Sequence, residues 1–165
     1  MSGAIRPLVP ADWEAVRKIT LEGIETGQAT FETEVPDWER WDSGHRKDCR
    51  LAATENERPL GWAALSPVSS RRVYEGVAEV SVYVAAQARG RGLGEALLRA
   101  LIDCAEEAGV WTLQASIFPE NTASVGLHQK LGFRQLGLRE KIACHRGVWR
   151  DTVILERRSR RVGLP

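Results

Sequence analysis

Seven short segments of the chain either alternate between apolar and polar residues or form brief apolar runs. Because successive side chains of a strand point to opposite faces of a sheet, these segments predict strands. They are AIRPLV, RLAAT, LGWAAL, VAEVSVYVA, VWTLQASI, FRQLGLREK and DTVILERR. A polar turn containing Pro59 separates the second from the third, which predicts a hairpin. TFETEV also alternates, but Pro36 breaks it.

Apolar residues at helical spacing predict four helices between these strands. The stripes are Trp13, Val16 and Ile19; Trp38 and Trp41 with His45; and Leu97, Leu101, Ala105 and Ala108, with a shorter helix in ENTASVGLHQKLGF. Asp12 and Asp37 can cap the first two helices. We expect His45 to be a packed or surface histidine. The order β-α-α-β-β-β-α-β-α-β-β indicates an α/β protein, a mixed sheet with helices on both faces.

The organisation of the chain is predicted to be simple. A length of 165 residues suits one domain, and no repeat or Ser/Gly-rich linker interrupts the pattern. We therefore expect a single domain over residues 1–157. The basic residues 158–165 are expected to be a frayed tail, with a patch for an acidic partner as the alternative.

Composition excludes several classes of function. With 23 basic and 22 acidic residues the formal net charge is +1, which does not suit a nucleic-acid binder. No run of about 18 apolar residues predicts a membrane segment, and MSGAIRPLVPADW lacks a signal peptide. Three cysteines without a CxxC pair predict reduced thiols, with neither a disulfide nor a metal site. We expect a cytoplasmic protein.

The segment QARGRGLGEALL, residues 87–98, follows a predicted strand and precedes a predicted helix. A helix that starts after such a turn presents unpaired N–H groups, which attract phosphate. Arg89 and Arg91 add positive charge. The GxGxG spacing does not match the dinucleotide fingerprint, and Gly94 is followed by Glu95 and not by the Lys-Ser/Thr of a P-loop. A diphosphate is the expected ligand.

The pattern Gln/Arg-x-x-Gly-x-Gly/Ala, matched by Gln87, Gly90 and Gly92, resembles the pyrophosphate loop of the GNAT superfamily of acyl-CoA N-acyltransferases. EVSVYV before it, and Asn121 and GLHQKLGF after it, extend the resemblance. ATFETEVPDWERW and GVWRDTVILER are similar to the phosphinothricin and methionine sulfoximine N-acetyltransferase group. The resemblance covers almost the whole chain and implies the GNAT fold.

The resemblance implies that the chain uses acetyl-CoA as co-substrate, without a metal, and that it is a homodimer. The residues implied to contact the cofactor are Val82, Tyr83, Val84, Gln87, Arg89, Gly90, Arg91, Gly92, Leu93, Gly94, Glu95, Asn121 and Lys130. For Asn121 a helix-capping role is equally open.

Acetyl transfer to an amine needs a group that removes the amine proton and often one that protonates the departing thiolate. Glu79 shares a predicted strand face with Ser81 and Tyr83, and the resemblance implies that it is the base. The alternative is a solvated strand face. His128 stands where the superfamily often has a tyrosine that acts as general acid, so the resemblance implies that His128 protonates the thiolate. The alternative is a half-buried histidine without a catalytic role. Tyr83 could be the acid instead.

The resemblance also implies where the acceptor amine binds. The candidate residues are Phe31, Glu32, Arg71, Arg72, Tyr74 and Ser81, together with Glu79. An arginine there would bind a substrate carboxylate, although Arg71 and Arg72 could equally be solvated. The group has Arg and Thr where this chain has Glu75 and Val77, which puts the identity of the acceptor in doubt.

The predicted function is therefore transfer of an acetyl group to the α-amine of a small amino-acid-like substrate. Two alternatives remain open: an acetyltransferase acting on a protein N-terminus or another amine, and a non-catalytic module that binds acyl-CoA.

Overall fold

A computed structural model describes residues 4–165 as one seven-stranded sheet with four helices. The strands are β1 (Ala4–Pro7), β2 (Leu51–Glu55), β3 (Arg58–Pro67), β4 (Val77–Val84), β5 (Thr112–Ile117), β6 (Arg134–His145) and β7 (Val148–Arg158). The helices are α1 (Trp13–Glu25), α2 (Trp38–Gly44), α3 (Leu93–Glu107) and α4 (Thr122–Lys130). The predicted order of elements and the mixed α/β architecture are confirmed.

The sheet has the strand order β1-β2-β3-β4-β5-β7-β6. Every neighbouring pair is antiparallel except β4 and β5, which are parallel. That parallel pairing joins only Val77–Glu79 to Thr112–Gln114 in the described chain. Beyond Glu79, β4 stays paired with β3 while β5 stays paired with β7, so a gap opens in the middle of the sheet.

Helices cover both faces of the sheet. On one face, Trp62 of β3 donates a hydrogen bond of 3.1 Å to Thr20 of α1. On the other face, α3 packs so closely on β3 that a Cβ on Gly61 would lie 2.9 Å from the side chain of Leu97.

The predicted apolar stripe of α3 is confirmed for Leu97, Leu101 and Ala105, which are fully buried. It is wrong for Ala108, which is exposed because α3 ends one residue before it. Burial of apolar side chains such as Leu97 is the main stabilising contribution to the fold.

The two predicted helix caps have different outcomes. Asp37 accepts a 2.9 Å hydrogen bond from the backbone N–H of Arg40, which confirms it as a cap. Asp12 does not cap α1. Its carboxylate instead accepts from the backbone N–H of Val9 and pairs with Arg6 at 2.8 Å, and these bonds lower the pKa of Asp12. The short turn Pro10–Asp12 before α1 makes this backward bond possible.

The prediction of three reduced thiols is wrong for two of them. Cys49 and Cys104 form a disulfide, with Cα atoms 5.6 Å apart. The sequence could not show this pairing, because 55 residues separate the two cysteines and the fold brings α3 against the segment before β2. Cys144 is a free thiol. The cysteine argument for a cytoplasmic location therefore no longer holds.

The end of the chain differs from the predicted frayed tail. β7 extends to Arg158, and the following Ser159 is buried. The Arg158 guanidinium donates to the carbonyls of Val162 and Gly163, at 2.9 and 2.6 Å. Arg161 pairs with Glu106 of α3 at 3.3 Å. The segment folds back onto the domain because its arginines find backbone carbonyls and a carboxylate there.

Residues 4–165 contain no helix long and apolar enough to cross a membrane. They also contain no group of three or more side chains suited to bind a metal ion. The first three residues of the segment tested for a signal peptide lie outside the described residues.

Candidate active site

A cavity of about 540 Å³ lies beside the gap between β4 and β5. Parts of α1, α2, α4, four strands and the loop between α1 and α2 form its walls. The predicted site residues that line it are Phe31, Glu32, Glu79, Ser81, Val82, Tyr83, Asn121 and His128. The fold therefore brings candidates from three distant parts of the chain into one cavity.

Glu79 occupies the last β4 position that pairs with β5, so its carboxylate lies where the strands separate. It is half-buried, and this burial raises the pKa of Glu79 above its ordinary value. A hydrogen bond from Ser116 and the positive charge of Arg139 oppose that shift without cancelling it. Neither partner was predicted from sequence, because both come from strands far along the chain.

Tyr83 lies two β4 residues beyond Ser81 on the same face. Its ring stacks on Trp62 with centroids 4.9 Å apart. α1 covers the ring so closely that a Cβ on Gly23 would lie 2.7 Å from it. Burial raises the pKa of Tyr83, and the charge of nearby Glu32 raises it further. The phenol therefore stays protonated at neutral pH and can donate.

His128 is buried in α4, with its ring edge against Phe133. Its Nδ1 lies 2.7 Å from the carbonyl oxygen of Ser124. Because a carbonyl only accepts, Nδ1 carries a proton and Nε2 of the neutral ring is an acceptor. Burial lowers the pKa of His128. His128 is therefore neutral at pH 7, a state that does not suit a general acid.

The glycine-rich turn before α3 presents open backbone. Gly90 and Gly92 have φ angles of +79° and +80°, a left-handed conformation that glycine adopts without strain. A Cβ at either position would meet no heavy atom of the described chain within 4 Å. Arg89 and Arg91 are exposed beside them. Free N–H groups, positive charge and open space make this helix start suited to a phosphate.

A profile of the acetyltransferase (GNAT) family matches residues 13–133. The chain belongs to this family. It is 34% identical to phosphinothricin N-acetyltransferase of Alcaligenes faecalis, over 93% of this chain and 81% of that protein. It is 37% identical to an L-methionine sulfoximine/L-methionine sulfone acetyltransferase of Pseudomonas aeruginosa, over 59% of this chain and 56% of that protein.

Solved structures of GNAT proteins are similar as well. A phosphinothricin acetyltransferase of Sinorhizobium meliloti, solved in complex with acetyl-CoA, superposes with a TM-score of 0.86 at 29% identity. That match covers 96% of this chain and 89% of the other. A ribosomal-protein-alanine N-acetyltransferase of Brucella melitensis also gives 0.86, at 30% identity, over 94% and 99% of the two chains. The predicted fold and the prediction of an N-acetyltransferase are confirmed.

Other residues implied by the GNAT resemblance surround the glycine turn. The carbonyl of Gln87 accepts a 3.2 Å bond from Arg91, and Arg89 donates to the carbonyl of Val84 at 3.4 Å. The side chain of Leu93 is buried. A Cβ on Gly94 would lie 3.7 Å from the side chain of Val84. These contacts hold the turn in place, while the cofactor contacts of these residues stay predictions.

Lys130 and Glu95 are already paired with one another. The Glu95 carboxylate lies 3.0 Å from Nζ of Lys130 and 2.8 Å from Arg99, which lowers the pKa of Glu95. This ion pair links α3 to α4 at the surface of the GNAT domain. We therefore find a structural role for both residues, and their predicted contact with the cofactor is untested.

Asn121 has the capping role that the sequence left open. Its side-chain oxygen accepts from the backbone N–H of Ser124 at 3.3 Å, and its amide nitrogen donates to the carbonyl of Gln28 at 3.2 Å. Asn121 therefore joins α4 to the loop that follows α1. Since it also lines the cavity, a role in binding the GNAT cofactor remains a prediction.

The predicted acceptor residues divide into two groups. Phe31 and Glu32 line the cavity, and the ring of Phe31 meets Phe118 edge-on at 4.8 Å. Arg71, Arg72 and Tyr74, in contrast, are exposed outside the cavity lining, where the Arg71 guanidinium lies 5.4 Å from the Tyr74 ring centroid. The structure of this single chain does not bring that second group to Glu79.

Sequence reasoning missed several residues that line the cavity, namely Arg40, Trp41, His45, Trp62, Ser116 and Phe118. His45 is packed as predicted, stacked on Trp41 at 4.3 Å, but it lines the cavity too. Arg40 supplies the one guanidinium among the lining residues that the structure describes. Arg40 and Trp41 belong to ATFETEVPDWERW, so the family resemblance contained a signal for them.

Proposed function

We propose that the protein transfers an acetyl group from acetyl-CoA to the α-amine of a small amino-acid-like substrate of the phosphinothricin or methionine sulfoximine type. The observation that carries the proposal is the half-buried Glu79 carboxylate at the point where β4 and β5 separate. The names of the similar proteins support this class of acceptor.

The donor side of the site fits acetyl-CoA. Gly90, Gly92 and the start of α3 would hold the diphosphate, since a Cβ at either glycine would fill space that is open. In the part of the chain that the structure describes, the pairing of β4 with β5 ends at Glu79. Backbone groups of Val82 and the N–H of Val84 are therefore available to bind the pantetheine arm, whereas the Val84 carbonyl already accepts from Arg89. When bound, acetyl-CoA supplies the acetyl group as an activated thioester.

Glu79 is the proposed general base. Its carboxylate would take a proton from the substrate ammonium, directly or through a water molecule. A base works best when its pKa lies near the working pH, and burial moves the pKa of Glu79 in that direction. Ser116 of β5 partly opposes this rise in the pKa of Glu79.

Tyr83 is the proposed general acid. Its hydroxyl keeps a proton at neutral pH because burial raises the pKa of the phenol. It can give this proton to the departing sulfur. His128 is less suited to the role, since burial lowers its pKa and its Nε2 lacks a proton in the neutral ring.

Charge supports an amino acid as acceptor. Glu79 and Glu32 provide carboxylates for the ammonium, and Arg40 provides a guanidinium for the carboxylate. This arrangement assigns to Arg40 the role that the sequence predicted for Arg71 or Arg72. Aromatic side chains, Trp41 and Trp62 among them, would surround the substrate side chain.

Thiol release from acetyl-CoA with a panel of acceptors tests the proposal. We expect turnover with phosphinothricin, methionine sulfoximine or methionine sulfone, and at least 10-fold less with peptides that carry a free N-terminus, because a peptide lacks the nearby carboxylate. The second candidate function is acetylation of a protein N-terminus, which the likeness to a ribosomal-protein-alanine N-acetyltransferase favours. Faster turnover of peptides would establish that candidate instead.

A homodimer is part of the proposed function. Large apolar side chains on β6 and β7 are 46% to 62% exposed: Leu136, Leu138, Ile142, Val148 and Trp149. Monomeric proteins seldom expose a large apolar patch, and β6 is an edge strand. We expect light scattering to give twice the chain mass of 18.3 kDa, and Trp149→Lys to give the monomer. A monomeric unaltered protein would exclude the dimer.

A cytoplasmic location stays a prediction.

A further inference from the structure

The loop between α1 and α2, residues 26–37, lines the part of the cavity where we propose that the amine acceptor binds. We call it the acceptor loop. Ala29, Thr30, Phe31, Glu32 and Pro36 line the cavity from this loop. The loop has no strand pairing, and the bonds within it are local, such as those from Gln28 N to Thr26 and from Glu32 N to Thr30. Its position over the cavity therefore depends on contacts from other parts of the chain.

Arg150, at the start of β7, provides most of those contacts. Its guanidinium donates to the carbonyl of Gly27 and to the side-chain oxygen of Gln28, the latter at 2.7 Å. The same group lies 3.6 Å above the ring of Phe118 and 3.3 Å from the Glu120 carboxylate. The Arg150 side chain is only 13% exposed. One guanidinium thus contacts both the acceptor loop and the segment after β5.

The second wall of the cavity is connected to the same loop. Asn121, which follows Glu120, donates to the backbone carbonyl of Gln28 at 3.2 Å. The ring of Phe31 packs edge-on against Phe118, and the Phe118 ring also contacts Arg150 and lies 5.9 Å from the ring of His145. Gln28 is therefore bonded from Arg150 and from Asn121, and Phe31 rests on the ring that Arg150 covers.

His145 helps to fix the orientation of the Arg150 side chain. The distance from Arg150 to His145 Nδ1 is 3.3 Å, and because a guanidinium only donates, Nδ1 must be the acceptor. The ring is then neutral. Burial, together with the charges of Arg146 and Arg150, lowers the pKa of His145 and keeps it so.

We propose that Arg150 is a positioning residue for acetyl transfer, which holds the acceptor loop against the segment that follows β5. Arg150 does not line the cavity and touches no reacting atom. It acts through Gln28 and Phe118, so that Phe31 and Glu32 meet the substrate in one arrangement. The planar fork of arginine is required, because a lysine cannot bond Gly27 and Gln28 while it covers an aromatic ring.

Arg150→Lys keeps the charge and removes the fork. We expect it to raise KM for the amine acceptor about 10-fold, as loss of charge-assisted hydrogen bonds to the loop would do, with less than 3-fold change in kcat or in KM for acetyl-CoA. Gln28 lies outside the cavity lining. We expect Gln28→Ala also to raise KM for the amine acceptor, with little change in kcat or in KM for acetyl-CoA. The double variant should be no worse than Arg150→Lys alone, since the one contact that Gln28→Ala removes is also lost in Arg150→Lys.

Hydrogen exchange supplies a measurement that does not need turnover. We expect amides of residues 28–34 to exchange at least 10-fold faster in Arg150→Lys, while amides of α3 keep their rates. Arg134→Lys is the matched control, because Arg134 pairs with Glu156 at 3.0 Å on the exposed part of the same hairpin. It should change neither exchange nor KM.

The inference rests on the proposed function, but the two can fail separately. If no amine is acetylated by the unaltered protein, the proposed function fails and exchange still tests the role of Arg150. Unchanged loop exchange in Arg150→Lys would overturn the inference. Equal increases in both KM values, or additive effects of Arg150→Lys and Gln28→Ala, would overturn it as well.

Discussion

Glu79→Gln is expected to lower kcat by about 10²- to 10⁴-fold, the usual contribution of a positioned general base. The amide keeps the size of the side chain but cannot take a proton from the substrate ammonium. Acetyl-CoA should bind with unchanged affinity, because we propose that Glu79 contacts the amine and not the cofactor. Thiol release under saturating substrates measures the first quantity, and calorimetric titration of acetyl-CoA measures the second. Undiminished turnover would exclude Glu79 as the base.

The pH profile gives an independent test of the same residue. Glu79 must be ionised to act as base, so kcat/KM should fall as pH falls through the raised pKa of Glu79. In the same experiment Tyr83→Phe should lower kcat and keep this acidic limb. Glu107→Gln, at an exposed position at the end of α3, is the control and should behave like the unaltered enzyme.

Stability should change in the opposite direction to activity. Because the folded-state pKa of Glu79 is raised, the ionised carboxylate is less stable in the folded protein than in the unfolded chain. This destabilisation is absent below the pKa that Glu79 has in the unfolded chain. It develops as the pH rises through the raised pKa that Glu79 has in the folded protein. Glu79→Gln removes that cost, so its melting temperature at pH 7 to 8 should equal or exceed that of the unaltered protein.

The second large effect is expected at the glycine turn. Gly92→Ala places a Cβ in the open space before α3, where we propose that the diphosphate binds. The dissociation constant for acetyl-CoA should rise at least 10-fold, because the methyl group displaces the phosphate from the N–H groups of the helix. An alanine at a φ of +80° should also lower stability by about 1–2 kcal/mol.

Gly109→Ala separates these two consequences. Gly109 follows the other end of α3 with a φ of +83°, and a Cβ there would also meet no described atom within 4 Å. Both variants should therefore lose similar stability in thermal unfolding. Only Gly92→Ala should lose affinity for acetyl-CoA. Equal affinities of the two variants would place the diphosphate elsewhere.

Local features of the site could be predicted from the sequence, and long-range ones could not. Glu79, Ser81 and Tyr83 were predicted to share a face because a strand alternates regardless of what surrounds it. The turn at Gly90 and Gly92 was recognisable for a similar reason, since spacing and flanking elements define it. These predictions needed no knowledge of which strands are neighbours.

Other parts of the site depend on strand order. Ser116 reaches Glu79 only because β5 lies next to β4, and Arg150 reaches Gln28 across 122 residues of sequence. The disulfide of Cys49 and Cys104 has the same origin. Arg71 and Arg72 illustrate the opposite error, because closeness to Glu79 along the chain did not bring them into the cavity.

The gap between β4 and β5 also bears on the energetics of the whole domain. Beyond Glu79 the two strands leave backbone donors and acceptors that a sheet would normally satisfy internally. A ligand that bonds to these groups completes the sheet, and its binding energy is added to the stability of the native state. At a ligand concentration of 100 times Kd this linkage amounts to about 2.7 kcal/mol. The gap in which we propose that the donor binds would thus make the stability of the fold depend on the concentration of acetyl-CoA.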